Sequence, residues 1–293
     1  MQPPTPAEDS PSFPRKFILH GRRLLGRVYH TIRRAIRPTR WEQHIEPIVR
    51  WETRELGKAR TLYGGLYDDP HENPLITVTI ATYNRGRLLL ERAIASLLKQ
   101  TYTNFEVVIV GDHCTDDTEH LLTKLNDPRI RWVNLPVRGS YPLDAKAHWQ
   151  VAGTVPMNEA KRLARGKWIS PLDDDDVYTH DHLEVLLREA QAKNLEMVYG
   201  LARREAEPGR WEDKGGPANG GFSIPGEMIF RTYLRLFASK TDAYLFDIPW
   251  DKHLRYRFQR AGIREGFLDR VVVLSPMRPG QTKFDWRAED RLL

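Results

Sequence analysis

The stretch that decides the fold is residues 75–112, which read LITVTIATYNRGRLLLERAIASLLKQTYTNFEVVIVGD. Within it, Leu75–Ala81 and Phe105–Val110 are apolar, β-branched runs of the kind found in buried strands. Between them, Leu88–Lys99 has the apolar spacing of an amphipathic helix. A strand, a helix and a second strand in this order predict two parallel strands joined by a right-handed crossover.

The same alternation continues along the chain. Helices are predicted over about 116–125, 158–165 and 182–192, and strands over 130–135, 168–172 and 197–200. Strands that alternate with helices of this length predict an α/β fold with a mainly parallel sheet. Ligands of such sheets bind beyond the carboxyl ends of the strands, so the polar residues that follow each strand are the candidates for function.

The overall composition is that of a globular protein. The chain has 293 residues, of which 40% are hydrophobic and 29% charged, and this excludes collagen-like and fully disordered chains. Its single cysteine, Cys114, cannot form an intrachain disulfide, which favours a reducing compartment. No apolar run approaches the roughly 20 residues of a membrane-spanning helix, and the polar start after Met1 does not resemble a secretory signal. We therefore expect a cytoplasmic chain.

The N-terminal segment differs from the rest in charge and pattern. Residues 1–14 are proline-rich and polar, and we predict a disordered tail there. Residues 15–40 contain nine basic groups and no acidic one, whereas the remaining residues hold 36 basic and 39 acidic groups, a net charge of −3. The positive charge is confined to this segment, so the main domain lacks the net positive charge that would attract nucleic acid. We therefore expect no nucleic-acid partner.

A basic helical extension is predicted over residues 15–74. Its apolar residues from Phe17 to Ile36 have helical spacing with arginines opposite, and a second helical stretch from Trp41 to about Leu62 leads into a turn-rich linker. The arginine face of residues 15–37 suits an anionic membrane surface, which would place the chain peripherally at the inner face of the membrane. The alternative is that the apolar face packs on the rest of the chain or on a second protomer.

Four consecutive aspartates, Asp173–Asp176, follow the predicted strand 168–172. Adjacent carboxylates repel one another, and a hard divalent cation such as Mg²⁺ or Mn²⁺ would relieve the repulsion. The sequence has no glycine-rich phosphate loop, so a diphosphate held through a metal ion is the simplest remaining arrangement. The alternative is a solvated acidic turn before the next helix.

Two further residues at strand ends are candidates for binding a nucleobase. Asp112 follows the second strand and could accept hydrogen bonds from a base, although it could equally cap the next turn. Tyr83 follows the first strand and could stack on a base or simply pack against its neighbours.

The segments TVTIATYNRGRLLLERAIASLLKQTYTNFEVVIVGDHCTDDT and NEAKRLARGKWISPLDDDDVYTHDHLEVLL together resemble a family 2 glycosyltransferase of GT-A fold. The resemblance covers about Leu75 to Gly200 and continues weakly to about Val273. It implies a Rossmann-like mixed sheet flanked by helices, with a nucleotide-sugar-binding half over residues 75–200 and an acceptor-binding half over 201–293. The reaction implied is inverting transfer from a nucleotide-sugar donor, with a UDP-sugar as the first candidate, to a glycan or lipid-linked acceptor, assisted by Mn²⁺ or Mg²⁺.

The resemblance also assigns residues to roles. It implies metal binding by the two outer acids of the DxD motif and catalysis by an acid that follows Trp250. The donor contacts are Ala81, Thr82, Tyr83, Arg85, Asp112 and Asp174, the metal ligands are Asp173 and Asp175, and the general base is Asp251. For Asp251 the alternative is a helix N-terminal acid stabilised by the helix dipole.

The chain departs from the family pattern at two places. Gly111 stands where the family usually has a second aspartate before Asp112, and Val137–Pro156 is longer than the common family connection. Two other kinds of protein stay open. One is a metal-dependent nucleotidyl or phosphotransfer enzyme that uses the same carboxylates. The other is a non-catalytic, membrane-associated adaptor in which the basic helix is the functional part.

Overall fold

The computed structural model describes residues 39–282, so the predicted tail 1–14 and the basic stretch 15–37 lie outside the described residues. The chain divides into two compact units, residues 1–48 and 49–293. Helix α1 (Arg40–Tyr63) begins in the first unit and agrees with the predicted stretch 41–62. Its start is a capping box, in which the Thr39 amide donates to the Glu42 carboxylate at 2.8 Å and the Glu42 amide donates to the Thr39 hydroxyl at 3.2 Å. No helix within residues 39–282 is both long and apolar enough to cross a membrane.

The first half of the second unit is the predicted parallel sheet. Its strands lie in the order β3-β2-β1-β4, with all three neighbouring pairs parallel. The strands are β1 (Ile76–Thr82), β2 (Phe105–Gly111), β3 (Ile130–Asn134) and β4 (Trp168–Pro171). The helices are α2 (Gly86–Leu89), which continues through a π-helical turn (Leu90–Ile94) into α3 (Ala95–Leu97), then α4 (Thr118–Leu125), α5 (Ala145–Val151) and α6 (Thr154–Leu163).

The second half extends this sheet with antiparallel and parallel strands. Strand β8 pairs antiparallel with β4, and the order continues as β8-β6-β9-β5, with β7 on β6. Among the described residues, the second unit thus contains one mixed sheet of nine strands. The elements are β5 (Val177–Tyr178), α7 (His182–Ala192), β6 (Met197–Glu207), β7 (Arg210–Gly215), β8 (Met228–Arg231), α8 (Trp250–Ala261) and β9 (Glu265–Ser275). Short 3₁₀ turns cover Gly64–Tyr67, Pro217–Asn219, Pro225–Glu227, Thr232–Leu236 and Ala243–Phe246.

The central strands bring the candidate residues to one edge of the sheet. Every residue of β2 is buried, as expected for a parallel strand covered on both faces. Thr82 at the end of β1 lies in register with Gly111 at the end of β2, and the Asp112 amide donates to the Thr82 carbonyl at 2.9 Å. The carboxyl ends of β1, β2 and β4 therefore point the same way, toward the edge where ligands of such sheets bind.

Gly111, where the resembling family has an aspartate, is explained by packing. A Cβ atom at this position would lie 2.4 Å from the Trp132 side chain and 2.6 Å from the Asn134 side chain, both on the neighbouring strand β3. These contacts are shorter than van der Waals distances, so the large neighbours on β3 leave no room for a side chain at residue 111.

A buried ion pair ties helix α1 to helix α8, whose first turn contains Asp251. Glu52 and Arg257 have side chains that are 1% and 0% exposed, and the Arg257 guanidinium donates to the Glu52 carboxylate. Burial is the main cause of both pKa shifts: it raises the pKa of Glu52 and lowers the pKa of Arg257. Removing one partner would leave the other charge buried without compensation.

We expect Glu52→Ala to lower the free energy of unfolding by about 3–5 kcal/mol, because it leaves the Arg257 charge buried and unpaired. Lys58→Ala is the control, since Lys58 pairs with Glu55 on the exposed surface of the same helix and such pairs contribute at most about 1 kcal/mol. Urea unfolding followed by circular dichroism measures both. Equal losses for the two variants would contradict the assignment.

Candidate active site

A cleft of about 780 Å³ opens at the carboxyl edge of the sheet. Residues from the ends of β1 and β2, from the loop after β4 and from the start of α8 line it. Every site residue predicted from the sequence is among them: Ala81, Thr82, Tyr83, Arg85, Asp112, Asp173, Asp174, Asp175 and Asp251. The structure thus brings together residues that are up to 170 positions apart in the sequence.

Asp112 is buried at one end of this cleft, and both of its carboxylate oxygens accept hydrogen bonds from the segment after β3. Oδ1 accepts from the Gly139 amide at 2.8 Å, and Oδ2 accepts from the Tyr141 hydroxyl at 2.8 Å. Burial and the nearby Asp112 charge raise the pKa of Tyr141 above its ordinary value. The hydroxyl therefore stays protonated and acts as the donor in this pair.

Tyr83 lies beside Asp112 in the cleft lining, and its ring is covered by a cation. The guanidinium carbon of Arg138 lies 3.7 Å from the centre of the Tyr83 ring. This is a stacking distance, at which a planar cation is attracted by the negative face of an aromatic ring. Both predicted base-binding residues are thus in contact with residues 138–141.

The acidic run has a different arrangement for each carboxylate. Asp174 is buried, and it accepts from the Thr82 hydroxyl at 2.7 Å and from Arg85 Nη1 at 3.3 Å. Asp175 pairs with Arg278, which follows β9. Burial, followed by the charges of neighbouring aspartates, raises the pKa of Asp173 to about 7. Burial, followed by the charges of Asp175 and Asp173, also raises the pKa of Asp176 well above its ordinary value. Arginines therefore contact Asp174 and Asp175, whereas burial and neighbouring acids determine the raised pKa values of Asp173 and Asp176.

The carboxylate oxygens of the acidic run fit a hard divalent cation only if a substrate supplies further ligands to the cation. Within residues 39–282 no group of three or more His, Cys, Asp or Glu side chains is arranged to hold a metal ion. Mg²⁺ and Mn²⁺ are typically held by one or two carboxylates together with substrate phosphates. Asp173 and Asp175 supply carboxylate oxygens of this type to the cleft, although Asp175 also pairs with Arg278. Asp174 is engaged by Thr82 and Arg85.

Asp251 lies in the first turn of α8, partly buried, with the Lys252 amide donating to its Oδ1 at 2.8 Å. Burial raises its pKa, and its charge contributes to the raised pKa of Asp173, with which it shares the lining of the cleft. Asp247, another acid of this region, is exposed and does not line the cleft. Hydrogen bonds from Lys146 and Gln150 lower its pKa, which makes it a weaker base than Asp251.

Several basic and aromatic residues of the cleft were not assigned from the sequence. Arg138 and Tyr141 belong to the long connection Val137–Pro156, which the sequence marked as unusual without assigning any residue in it. Arg278 follows a strand whose position in the sheet was not predicted. The remaining unassigned basic side chains in the lining are Arg204, Lys214, Lys252 and Arg255.

The family to which this chain belongs follows from its match to a known sequence family. The sequence model of glycosyl transferase family 2 matches residues 77–141 and 154–263, which is more than half of the chain. The chain belongs to glycosyl transferase family 2. The match includes the ends of β1 and β2, the acidic run and the start of α8, and it omits residues 142–153.

Members of the family with curated names are similar to this chain over its central part. The putative colanic acid biosynthesis glycosyl transferase WcaA of Escherichia coli is 37% identical over 122 residues, which are 41% of this chain and 39% of that protein. The chondroitin synthase of Pasteurella multocida is 33% identical over 136 residues, which are 45% of this chain and 13% of that protein. The chain thus matches less than half the length of these family 2 relatives.

Solved structures share the fold. TarS of S. aureus, residues 1–349 in complex with UDP, superposes with a TM-score of 0.53 at 18% identity, covering 70% of this chain and 61% of that one. The mannosyltransferase PcManGT from Pyrobaculum calidifontis, in complex with GDP-Man and Mn²⁺, superposes with a TM-score of 0.52 at 21% identity, covering 80% and 70%. The prediction of an α/β fold with a GT-A mixed sheet is confirmed.

Proposed function

We propose that this family 2 chain transfers a sugar from a nucleotide diphosphate donor to an acceptor hydroxyl, with inversion and with the assistance of a divalent cation. The observation that carries the proposal is the convergence of three groups in one cleft. Tyr83 and Asp112 lie at the ends of β1 and β2, the acids Asp173–Asp175 follow β4, and Asp251 begins α8. A donor that spans the first two groups would place its sugar toward the third.

The donor is proposed to bind along the edge of the sheet. Tyr83 stacks on the base and Asp112 accepts its N–H, while the neighbouring Ala81 and Thr82 contact the nucleoside. Asp174, oriented by Thr82 and Arg85, faces the ribose or the sugar. TarS has been solved with UDP and with UDP-GlcNAc, and PcManGT with GDP-Man and Mn²⁺. A nucleotide sugar is therefore the proposed donor, with a UDP-sugar as the first candidate.

Charge at the leaving group would be balanced by cations in the cleft. Mn²⁺ or Mg²⁺ held by Asp173 and Asp175 would supply positive charge to the diphosphate. Arg278 contacts Asp175 and so lies beside this position, where its guanidinium can stabilise the phosphate oxygens. The proposed step breaks the bond from the anomeric carbon to the diphosphate oxygen as the acceptor oxygen bonds to that carbon from the opposite side.

Asp251 is the proposed general base. Its carboxylate takes the proton of the acceptor hydroxyl while the new glycosidic bond forms. Burial raises the pKa of Asp251, and a raised pKa makes the carboxylate a better proton acceptor. Trp250, the preceding residue, also lines the cleft and offers an apolar ring on which a sugar can pack.

The products released from a donor separate this function from its alternatives. We would screen UDP-, GDP- and dTDP-sugars with Mn²⁺ by thermal shift, because a ligand at 100 times its dissociation constant adds about 2.7 kcal/mol of stability. The best donor would then be incubated with the protein and the released nucleotide identified. Nucleoside diphosphate supports glycosyl transfer, nucleoside monophosphate favours a phosphotransfer enzyme, and no metal-dependent turnover favours an adaptor.

The basic extension is proposed to attach the chain to the inner face of an anionic membrane, where a lipid-linked acceptor would be at hand. The support is the sequence pattern of residues 15–37, since about 1 kcal/mol per basic residue is available near such a surface. We expect deletion of residues 1–40 to abolish flotation with vesicles that contain anionic lipid. Undiminished flotation of the deletion variant would exclude this role.

A further inference from the structure

Residues Arg138–Tyr141 contact Tyr83 and Asp112, the two residues proposed above to bind the nucleobase. A base at this site would stack on Tyr83 and would donate an N–H to Asp112. In the structure the planar Arg138 guanidinium lies on Tyr83 at 3.7 Å, and the Gly139 amide and Tyr141 hydroxyl donate to Asp112 at 2.8 Å each. Arg138 therefore covers one face of the Tyr83 ring, and each Asp112 carboxylate oxygen already accepts one hydrogen bond.

We propose that residues Arg138–Tyr141 are an internal competitor for the nucleobase, so that Arg138 and Tyr141 set the affinity of the chain for its donor. This inference rests on the proposed function, because it takes Tyr83 and Asp112 as the base site. A base that uses the same face of Tyr83 and the same acceptor positions of Asp112 can bind only when Arg138 leaves the ring and Tyr141 releases the carboxylate. The apparent dissociation constant is then the intrinsic one divided by the fraction of molecules in which the segment has left.

The local structure stabilises the occupied arrangement. A Cβ atom on Gly139 would lie 2.6 Å from the Tyr141 ring, so the absence of a side chain at residue 139 lets the phenol fold back toward Asp112. The Tyr141 ring also lies 5.2 Å from the ring of His148 in helix α5, which follows the segment. Gly153, which separates α5 from α6, has a φ of +75°, a conformation that glycine adopts without strain.

Helix α5, which follows Tyr141, lies outside the residues that the family model matches. The family match stops at residue 141 and resumes at residue 154, so α5 lies in the interruption. Lys146 and Gln150 of α5 both bind Asp247 near the start of α8, at 2.5 and 2.8 Å. Helix α5 thus fixes the competing segment to the part of the chain that precedes Asp251.

Removal of the competing contacts should strengthen donor binding. We expect Arg138→Ala and Tyr141→Phe each to bind UDP in the presence of Mn²⁺ with a dissociation constant roughly three- to tenfold lower than that of the unmodified protein. The size follows from the loss of one stacking contact or of one hydrogen bond to a charged acceptor. If these residues instead contacted the base, the same substitutions would weaken binding.

Matched controls come from similar contacts outside the cleft. Arg129→Ala removes a guanidinium that lies 4.6 Å from the Phe105 ring, and Tyr102→Phe removes a buried hydroxyl that donates to the Pro74 carbonyl. Neither control should change the affinity for UDP in isothermal titration calorimetry. Tyr83→Ala should weaken it, because this variant removes the proposed stacking surface itself.

Hydrogen exchange gives a second, independent readout. Binding of UDP should speed exchange in the peptide that contains Gly139, because its amide loses Asp112 as an acceptor, whereas most ligands slow exchange where they bind. Tighter binding by both variants with this faster exchange supports the proposal. If UDP binds and Tyr83→Ala weakens it, but Arg138→Ala and Tyr141→Phe bind no tighter, only the internal competitor is excluded. If none of UDP, GDP and dTDP binds to any of these proteins, the proposed function fails as well.

Discussion

Replacement of Asp251 by asparagine should lower the turnover number by about 10²–10⁴-fold, the usual cost of removing a general base. Asparagine keeps the size of the side chain and its capacity to accept the Lys252 amide, but it cannot take a proton. Donor and metal affinities should stay near those of the unmodified protein, because the proposed base acts on the acceptor. Steady-state kinetics together with calorimetric titration of UDP separate the two effects.

Asp247→Asn is the matched control for this prediction, since Asp247 lies four residues earlier but is exposed, outside the cleft and bound to Lys146 and Gln150. Its turnover number at saturating donor should stay close to that of the unmodified protein. Unchanged turnover in Asp251→Asn, or a loss explained wholly by weaker donor binding, would remove Asp251 from the role of base.

The second large effect is expected at Asp173. Asp173→Asn should remove the gain in UDP affinity that Mn²⁺ provides. At saturating Mn²⁺ the variant should bind UDP about 10–100-fold more weakly than the unmodified protein. Without metal the variant should melt no lower than the unmodified protein, because burial and repulsion from neighbouring acids already disfavour the Asp173 carboxylate. Titration with and without EDTA, followed by thermal melting, measures both quantities.

Asp175 gives a less direct test of the metal than Asp173, although the sequence treats the two acids alike. Asp175 pairs with Arg278, so its replacement removes an ion pair as well as a carboxylate. Asp174→Asn would likewise disturb the contacts of Asp174 with Thr82 and Arg85. Equal UDP affinity of the unmodified protein with Mn²⁺ and with EDTA would contradict a metal role for the run.

The parallel part of the fold was predictable because its signals are local. Each of β1, β2 and β4 is a short apolar run followed at once by polar residues, and this arrangement determines both the strand and the edge at which it ends. The same signals located Asp112 and the acidic run in the cleft. Asp251 was assigned through the family resemblance of the Trp250-Asp251 pair, and the structure has both residues in the first turn of α8.

The contacts that Asp112 and Asp175 make within the chain were not predictable, because their partners come from distant parts of the sequence. The Tyr141 hydroxyl reaches Asp112 across 29 residues, and Arg278 reaches Asp175 across 103 residues. No local sequence pattern around Tyr141 or Arg278 indicates that its side chain contacts one of these aspartates. The large neighbours Trp132 and Asn134, which exclude a side chain at Gly111, also come from a different strand.

The central claim is that the cleft at the carboxyl edge binds the donor, and a crystal structure with UDP and Mn²⁺ tests it most directly. We predict that the uracil ring stacks on Tyr83 with its N3–H donating to Asp112, and that Arg138 and Tyr141 are displaced. Asp173 and Asp175 should be the protein residues nearest to the diphosphate and should be the ones that hold the metal ion. A nucleotide bound away from Tyr83 and Asp112, or a diphosphate without contact to the acidic run, would contradict the account.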